Sequence, residues 1–159
     1  MSLTEQPQPQ LPTNAIQQPS ALGSDRWFEY IVRVYPHHTD YAGVVWHGTY
    51  ITWMEEARME SLRSLGIEYA DLVALGCELP VVELSIRYHL AIKMGMTVVV
   101  KTRLADTEGI KLDWDYQIQS LDGTELYATA RVTLVAIDRE KGKIMRRLPQ
   151  AVQDALSKF

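Results

Sequence analysis

Cysteine is almost missing from these 159 residues. Cys77 is the single one, which excludes an intrachain disulfide framework and a cysteine-built zinc cage. The compartment this points to is a reducing cytoplasm. A surplus of positive charge is missing too. Sixteen Lys and Arg against twenty Asp and Glu leave a net charge of −4, whereas a nucleic-acid binder should carry a basic face. A small anionic ligand stays open, because it needs only a local basic patch. No apolar run nears the ~18 residues needed to cross a bilayer. The expectation is therefore no nucleic acid and no membrane. The patterns G-x-S-x-G, the P-loop, G-x-G-x-x-G and H-E-x-x-H are all missing, which takes away common hydrolase, nucleotide and zinc-protease readings.

Hydrophobic residues reach 47%, the level of an ordinary soluble globular chain. They are not spread evenly. Residues 1–23 hold four of the seven prolines and five glutamines, with no aromatic residue. Each proline removes a backbone donor and restricts its predecessor, so this stretch reads as a disordered Pro/Gln-rich tail. It has neither the basic start nor the apolar centre of a secretory signal. A transit peptide would call for arginine, which is absent from the first 25 residues. Residues 24–159 make one domain of ordinary size.

Within that domain the periodicity changes twice. Residues 27–35, WFEYIVRVY, are aromatic and β-branched and predict a strand. A Pro- and Gly-containing loop follows. From about residue 48 to 65 the period is helical, with Tyr50, Trp53, Met54, Ala57, Leu62 and Leu65 on one stripe and Gly66 as the stop. YADLVALG adds a short helical turn. Alternation then returns in residues 82–90, 97–104 and 110–119. The last of these sets Ile110, Leu112, Trp114, Tyr116 and Ile118 against Lys111, Asp113, Asp115, Gln117 and Gln119, the pattern of an antiparallel sheet with one wet face. Asp122-Gly123 predicts a two-residue hairpin into a central strand over 125–137. Lys141-Gly142 turns into a short strand, and residues 149–157 form a terminal helix begun by Pro149. One long helix followed by a run of strands is an α+β class, with the helix across one sheet face. One helix covers only one face and the outer strands keep open edges, so a homo-oligomer, dimer or tetramer, is expected.

The densest polar segment is His37-His38-Thr39-Asp40, with His47 seven residues beyond Asp40. A metal reading would take His37 or His38, Asp40 and His47 as ligands. No histidine pair at i, i+4 places two of them on one face, so the segment is read as a loop without a metal. Asp40 alone is a second candidate. An ionised carboxylate can act as base or nucleophile, and this one precedes a helix beginning near His47–Gly48. A helix start offers unpaired N–H groups and partial positive charge. Carboxylate plus electrophilic helix end is the minimum apparatus for acyl transfer. The plainer reading of Asp40 is a turn or cap residue.

The run Asp40, Ala42, Gly43, Val44, Val45, Trp46, His47, Tyr50, Trp53, Glu55 or Glu56, Ala57 and Arg58 resembles the 4-hydroxybenzoyl-CoA thioesterase family of hot-dog folds. The likeness spans roughly residues 27–150. It implies an antiparallel sheet wrapped around one long central helix, and an acyl-CoA thioesterase releasing free acid and CoA. It implies that Asp40 is the catalytic carboxylate and that the backbone N–H at His47 polarises the thioester carbonyl. Relatives carry a second Asp two residues before the catalytic one, where this chain has His38. The family acts on hydroxybenzoyl- and dihydroxynaphthoyl-CoA, and its histidine-bearing branch on aliphatic acyl-CoA. An acyl carrier protein thioester and a non-catalytic acyl-thioester-binding module are the alternatives. A hydratase or dehydratase lacks its usual motif here. The likeness also implies sites built from two protomers, and no cofactor beyond the CoA of the substrate.

In that frame Gly43 and Gly48 bracket a turn where backbone approaches substrate. Val45, Trp46 and Tyr50 join them as substrate-binding candidates, although most of the helical stripe reads as core packing. Arg139, Lys141, Lys143, Arg146 and Arg147 form a basic run opposed only by Glu140. Lys143, Arg146 and Arg147 are the candidates for the CoA phosphates, against the plainer reading of a solvated hairpin. Cys77 reads as a small buried residue.

Overall fold

The computed structural model describes residues 26–105 and 109–159. Residues 1–23, expected to be a disordered tail, lie outside the described residues. Five strands build the main sheet: β1 (Phe28–Arg33), β3 (Val81–Tyr88), β4 (Thr97–Leu104), β5 (Lys111–Ser120) and β6 (Leu126–Val135). All pairings are antiparallel, in the order β1-β4-β5-β6-β3. The helices are α1 (Thr49–Ser64), α2 (Tyr69–Ala74) and α3 (Gln150–Leu156). β2 (Cys77–Glu78), β7 (Ile137–Asp138) and β8 (Lys143–Ile144) form a separate small sheet. No helix among the described residues is long and apolar enough to cross a membrane.

The helix α1 forms where the 3.6-residue stripe predicts it. Trp53, Met54 and Ala57 are at most 1% exposed and lie against the inner sheet face, where Val98, Val100, Tyr116, Ile118 and Val132 are equally buried. Burying each large apolar side chain contributes roughly 1.5–3 kcal/mol, so this interface anchors the helix start. Its other end closes as the sequence indicates. Gly66 N–H donates to Arg63 and Ile67 N–H to Leu62, the paired bonds of a Schellman stop. The strand β5 alternates as expected, with Leu112, Trp114, Tyr116 and Ile118 buried. α3 covers the far end, and Phe159 meets Trp114 edge to face at 5.3 Å.

Two expectations change. The turn at Asp122-Gly123 is not a two-residue hairpin: five residues, 121–125, separate β5 from β6. Asp122 organises the longer loop, its carboxylate accepting from Ser120 Oγ at 2.6 Å and from Thr124 N at 3.1 Å and Oγ1 at 2.8 Å. Led by the Ser120 bond, these hold its pKa down to about 2. The strand expected over 125–137 is split. β6 ends at Val135, and Ile137–Asp138 leaves the main sheet to pair with β2 and β8. The strand β3 lies at an edge of the main sheet. Its inward series is open in one chain, with Leu84 37% and Tyr88 46% exposed, because α1 lies over the opposite half of the sheet, against β1 and β4.

Candidate functional site

The site begins where β1 runs out. A 3-10 turn at Pro36–His38 follows, and the chain then doubles back through an isolated bridge between Thr39 and Val45. At the tip, Asp40 N–H donates to Val44 O at 2.9 Å and Gly43 N–H to Asp40 O at 3.1 Å. Gly43 has φ +77°, a conformation that favours glycine. The carboxylate Oδ1 of Asp40 accepts from Ala42 N–H at 2.9 Å. That is the turn role open to any loop aspartate, yet the side chain stays exposed and keeps free lone pairs.

This loop is not loose. Val45 N–H donates to Ile92 O at 2.8 Å and Met94 N–H to Gly43 O at 3.1 Å. Val45 is 6% and Ile92 0% exposed, so the substrate-binding candidate Val45 is an anchor of the loop. Trp46 N–H and Thr49 Oγ1 both donate to His38 O, each at 3.0 Å. The Asp40 turn and the start of α1 are thereby tied to one carbonyl.

His38 stands two residues before Asp40. Its Nδ1 accepts the Tyr35 N–H at 3.0 Å, and its ring meets Trp53 edge-on at 5.3 Å. Burial first, then the neighbouring His37, push its pKa down, against an upward pull from Glu56. Among the described residues no three His, Cys, Asp or Glu side chains stand close enough to hold a metal ion.

The helix start has two features that matter for chemistry. Gly48 is the N-cap and has no side-chain cap. Among the described residues neither the His47 nor the Gly48 N–H has an acceptor, so two successive donors are free at the positive end of α1. The indole of Trp46 lies directly over Gly48. A Cβ there would sit 2.2 Å from Trp46 Cζ3, so only glycine admits this packing. Trp46 itself is 51% exposed and forms one wall beside the free N–H groups. Tyr50 is placed differently from Trp46. It is 3% exposed, with burial first and Tyr88 second pushing its hydroxyl up to about 12.

The structure places Asp40, Gly43, Trp46, His47 and Gly48 on one tied-down loop that leads into α1, with Val45 and Tyr50 buried. It does not bring the basic residues there in one chain. Lys143, Arg146 and Arg147 are exposed on and after the β7–β8 hairpin, which continues from the Val135 end of β6. The helix start lies by Tyr88, at the opposite end of β3, since Val81 pairs with Leu134 and Tyr88 with Ala128. Seven residue steps of strand separate those ends by about 23 Å. Nor does the sequence disclose Tyr88 as part of the site. Its hydroxyl donates to His47 O at 2.7 Å, a contact across 41 residues that strand alternation cannot indicate.

Comparisons with known proteins agree with this architecture. Residues 34–156 match the thioesterase-like superfamily. The chain is 52% identical to the "Putative esterase sll0410" of Synechocystis over 99% of both chains. It is 30% identical to the acyl-CoA thioester hydrolase YbgC of Escherichia coli over 79% of this chain and 92% of that protein. Among solved structures, a 1,4-dihydroxy-2-naphthoyl-CoA thioesterase from Synechocystis superposes with a TM-score of 0.77 at 27% identity, covering 84% of this chain and 97% of the other. The hot-dog architecture is thus shared with solved thioesterases.

Proposed function

This chain belongs to the thioesterase-like superfamily, and we propose that within it the protein is an acyl-CoA thioesterase, hydrolysing R–CO–S–CoA to a carboxylic acid and free CoA. The observation that carries the reading is the pair of free N–H groups at His47 and Gly48 at the end of the loop that presents the exposed carboxylate of Asp40. Asp40 either attacks the thioester carbonyl, forming a mixed anhydride that water then opens to the free acid and the regenerated carboxylate, or deprotonates the water that attacks directly. The negative charge that develops on the carbonyl oxygen is met by the two N–H groups at the helix start. The thiolate of CoA leaves and takes up a proton. This chemistry needs no cofactor beyond the CoA of the substrate. With its one thiol, Cys77, buried, the enzyme suits a cytoplasmic setting.

The active unit is a homo-oligomer. Val82, Leu84 and Tyr88 leave apolar surface uncovered on an unpaired edge, which natural sheets cover or pair. A two-fold axis through β3 would pair it antiparallel with a second copy. The Val81 end of one protomer would then meet the Tyr88 end of the other. That brings the partner's basic hairpin toward this chain's helix start and removes the 23 Å problem: Lys143, Arg146 and Arg147 would hold the CoA phosphates in trans.

An aromatic acyl group is favoured by the flat, half-exposed Trp46 beside the donors and by the likeness to the naphthoyl-CoA enzyme. The test is kcat/KM for benzoyl- and naphthoyl-type thioesters against butyryl- and palmitoyl-CoA and an acyl carrier protein thioester. A ring-shaped pocket should discriminate at least about tenfold. An aliphatic or carrier-protein substrate winning by that margin overturns the acyl assignment. Tight acyl-CoA binding without any CoA release overturns the enzyme.

A further inference from the structure

The two free N–H groups are parts of two successive rigid peptides, so whatever pins the carbonyls of those peptides also aims the donors. The N–H of His47 shares its peptide with Trp46 C=O, which accepts from Thr49 N–H at 2.9 Å. The helix holds that one by itself. The N–H of Gly48 shares its peptide with His47 C=O, and here the helix fails. Ile51 N–H donates to Gly48 O at 3.1 Å rather than reaching back four residues to His47. Among the described residues no backbone N–H reaches the His47 carbonyl. Its partner is the Tyr88 hydroxyl, at 2.7 Å from β3.

We propose that Tyr88 is a positioning residue for the oxyanion site, acting through the His47–Gly48 peptide: its hydroxyl fixes the plane of that peptide and strengthens the Gly48 N–H as a donor. The proposal rests on the thioesterase reading above. A hydrogen bond accepted at C=O draws electron density toward oxygen and leaves the N–H of the same amide more positive, a cooperative gain of about 10–30% per bond. The gain is useful only if the donor is held still. Tyr88 is held: its ring meets Tyr50 edge to face at 5.0 Å and 82°, and Tyr50 is locked into the core at 3% exposure. Burial pushes the Tyr88 phenol above its ordinary range, so it remains a donor through weakly alkaline solution. Tyr50, on α1, is the titratable ring in contact with it. Position 88 therefore links the oxyanion peptide to the edge strand on which a second protomer would dock.

Tyr88→Phe keeps the ring on Tyr50 and removes only the donor. The expected result is a fall in kcat of about tenfold, smaller than the loss of an oxyanion donor itself, with KM and melting temperature close to the parent. A second protein carries 3,5-difluorotyrosine at position 88, whose phenol ionises at lower pH. Its kcat should collapse toward the Tyr88→Phe value as that phenol ionises, because a phenolate cannot donate. A parental kcat in Tyr88→Phe overturns the proposal, as does a loss carried by KM or by unfolding. So does a fluorinated protein whose pH profile superimposes on the parent. If the parent releases no CoA from any thioester, the thioesterase reading falls and this one with it. If Asp40→Asn abolishes turnover while Tyr88→Phe keeps the parental kcat, only the role of Tyr88 falls.

Discussion

Replacing Asp40 in two ways separates the chemistry of its carboxylate from its part in the turn. Its Oδ1 accepts the Ala42 N–H at 2.9 Å. Asparagine offers a carbonyl oxygen at the same place, so Asp40→Asn should leave the turn standing and melt close to the parent. Alanine offers none. Losing one exposed hydrogen bond costs about 1 kcal/mol, which for a chain of this size lowers the melting temperature by about 3 °C. The rest of the loop survives either change, because it is sewn to Ile92 and Met94 by backbone bonds alone. Both variants remove the carboxylate. With Asp40 as the base or nucleophile of the proposed reaction, kcat should drop by about 100-fold or more, roughly 2.7 kcal/mol of barrier. The assay is release of free CoA thiol at saturating substrate, beside a thermal melt of each protein. The expected signature is equal loss of kcat in two proteins of unequal stability. A folded Asp40→Asn protein with near-parental kcat would refute the assignment of Asp40. A kcat loss confined to Asp40→Ala would show that the residue is only a turn former.

Three other outcomes follow from particular contacts. Leu84→Glu puts a charge on the open edge of β3 and should shift the protein from oligomer to an ~18 kDa species in sedimentation, with a raised KM for acyl-CoA as the partner's basic hairpin departs; a parent already sedimenting as a monomer would refute the edge argument. Tyr116→Phe removes the hydroxyl that accepts from the buried Arg58 Nη1 at 2.9 Å. Arg58 is 6% exposed and its Nε is already without a partner, so the loss should cost roughly 1–3 kcal/mol, and an unchanged denaturant midpoint would show that water replaces the bond. A chain beginning at Gly23 should melt within a few degrees of the full length, because the removed Pro/Gln segment has little apolar surface to bury; a large drop would mean that the segment docks.

Much of this protein is written in local order along the chain. The stripe on α1, the alternation in β5 and the stop at Gly66 each depend on neighbours a few residues apart, and periodicity reports such neighbours directly. The run from Asp40 to Arg58 is legible for the same reason, since the carboxylate and the helix start are close in sequence. What the chain order does not disclose depends on register between distant segments. That Tyr50 and Val45 pack inward while Trp46 stays half-exposed follows from how α1 and residues 92–94 close on the loop. The length of the β5–β6 turn follows from the bonds of Asp122 and not from its glycine. The basic run reads as close to the site or far from it until the pairing of β3 with β6 places it at the other end of the sheet. The contact of Tyr88 with His47 spans 41 residues, and a strand pattern tells only which face a side chain takes. Which atom it meets there is decided when the helix start and the edge strand are brought to the same end of the sheet by the packing of a shared core.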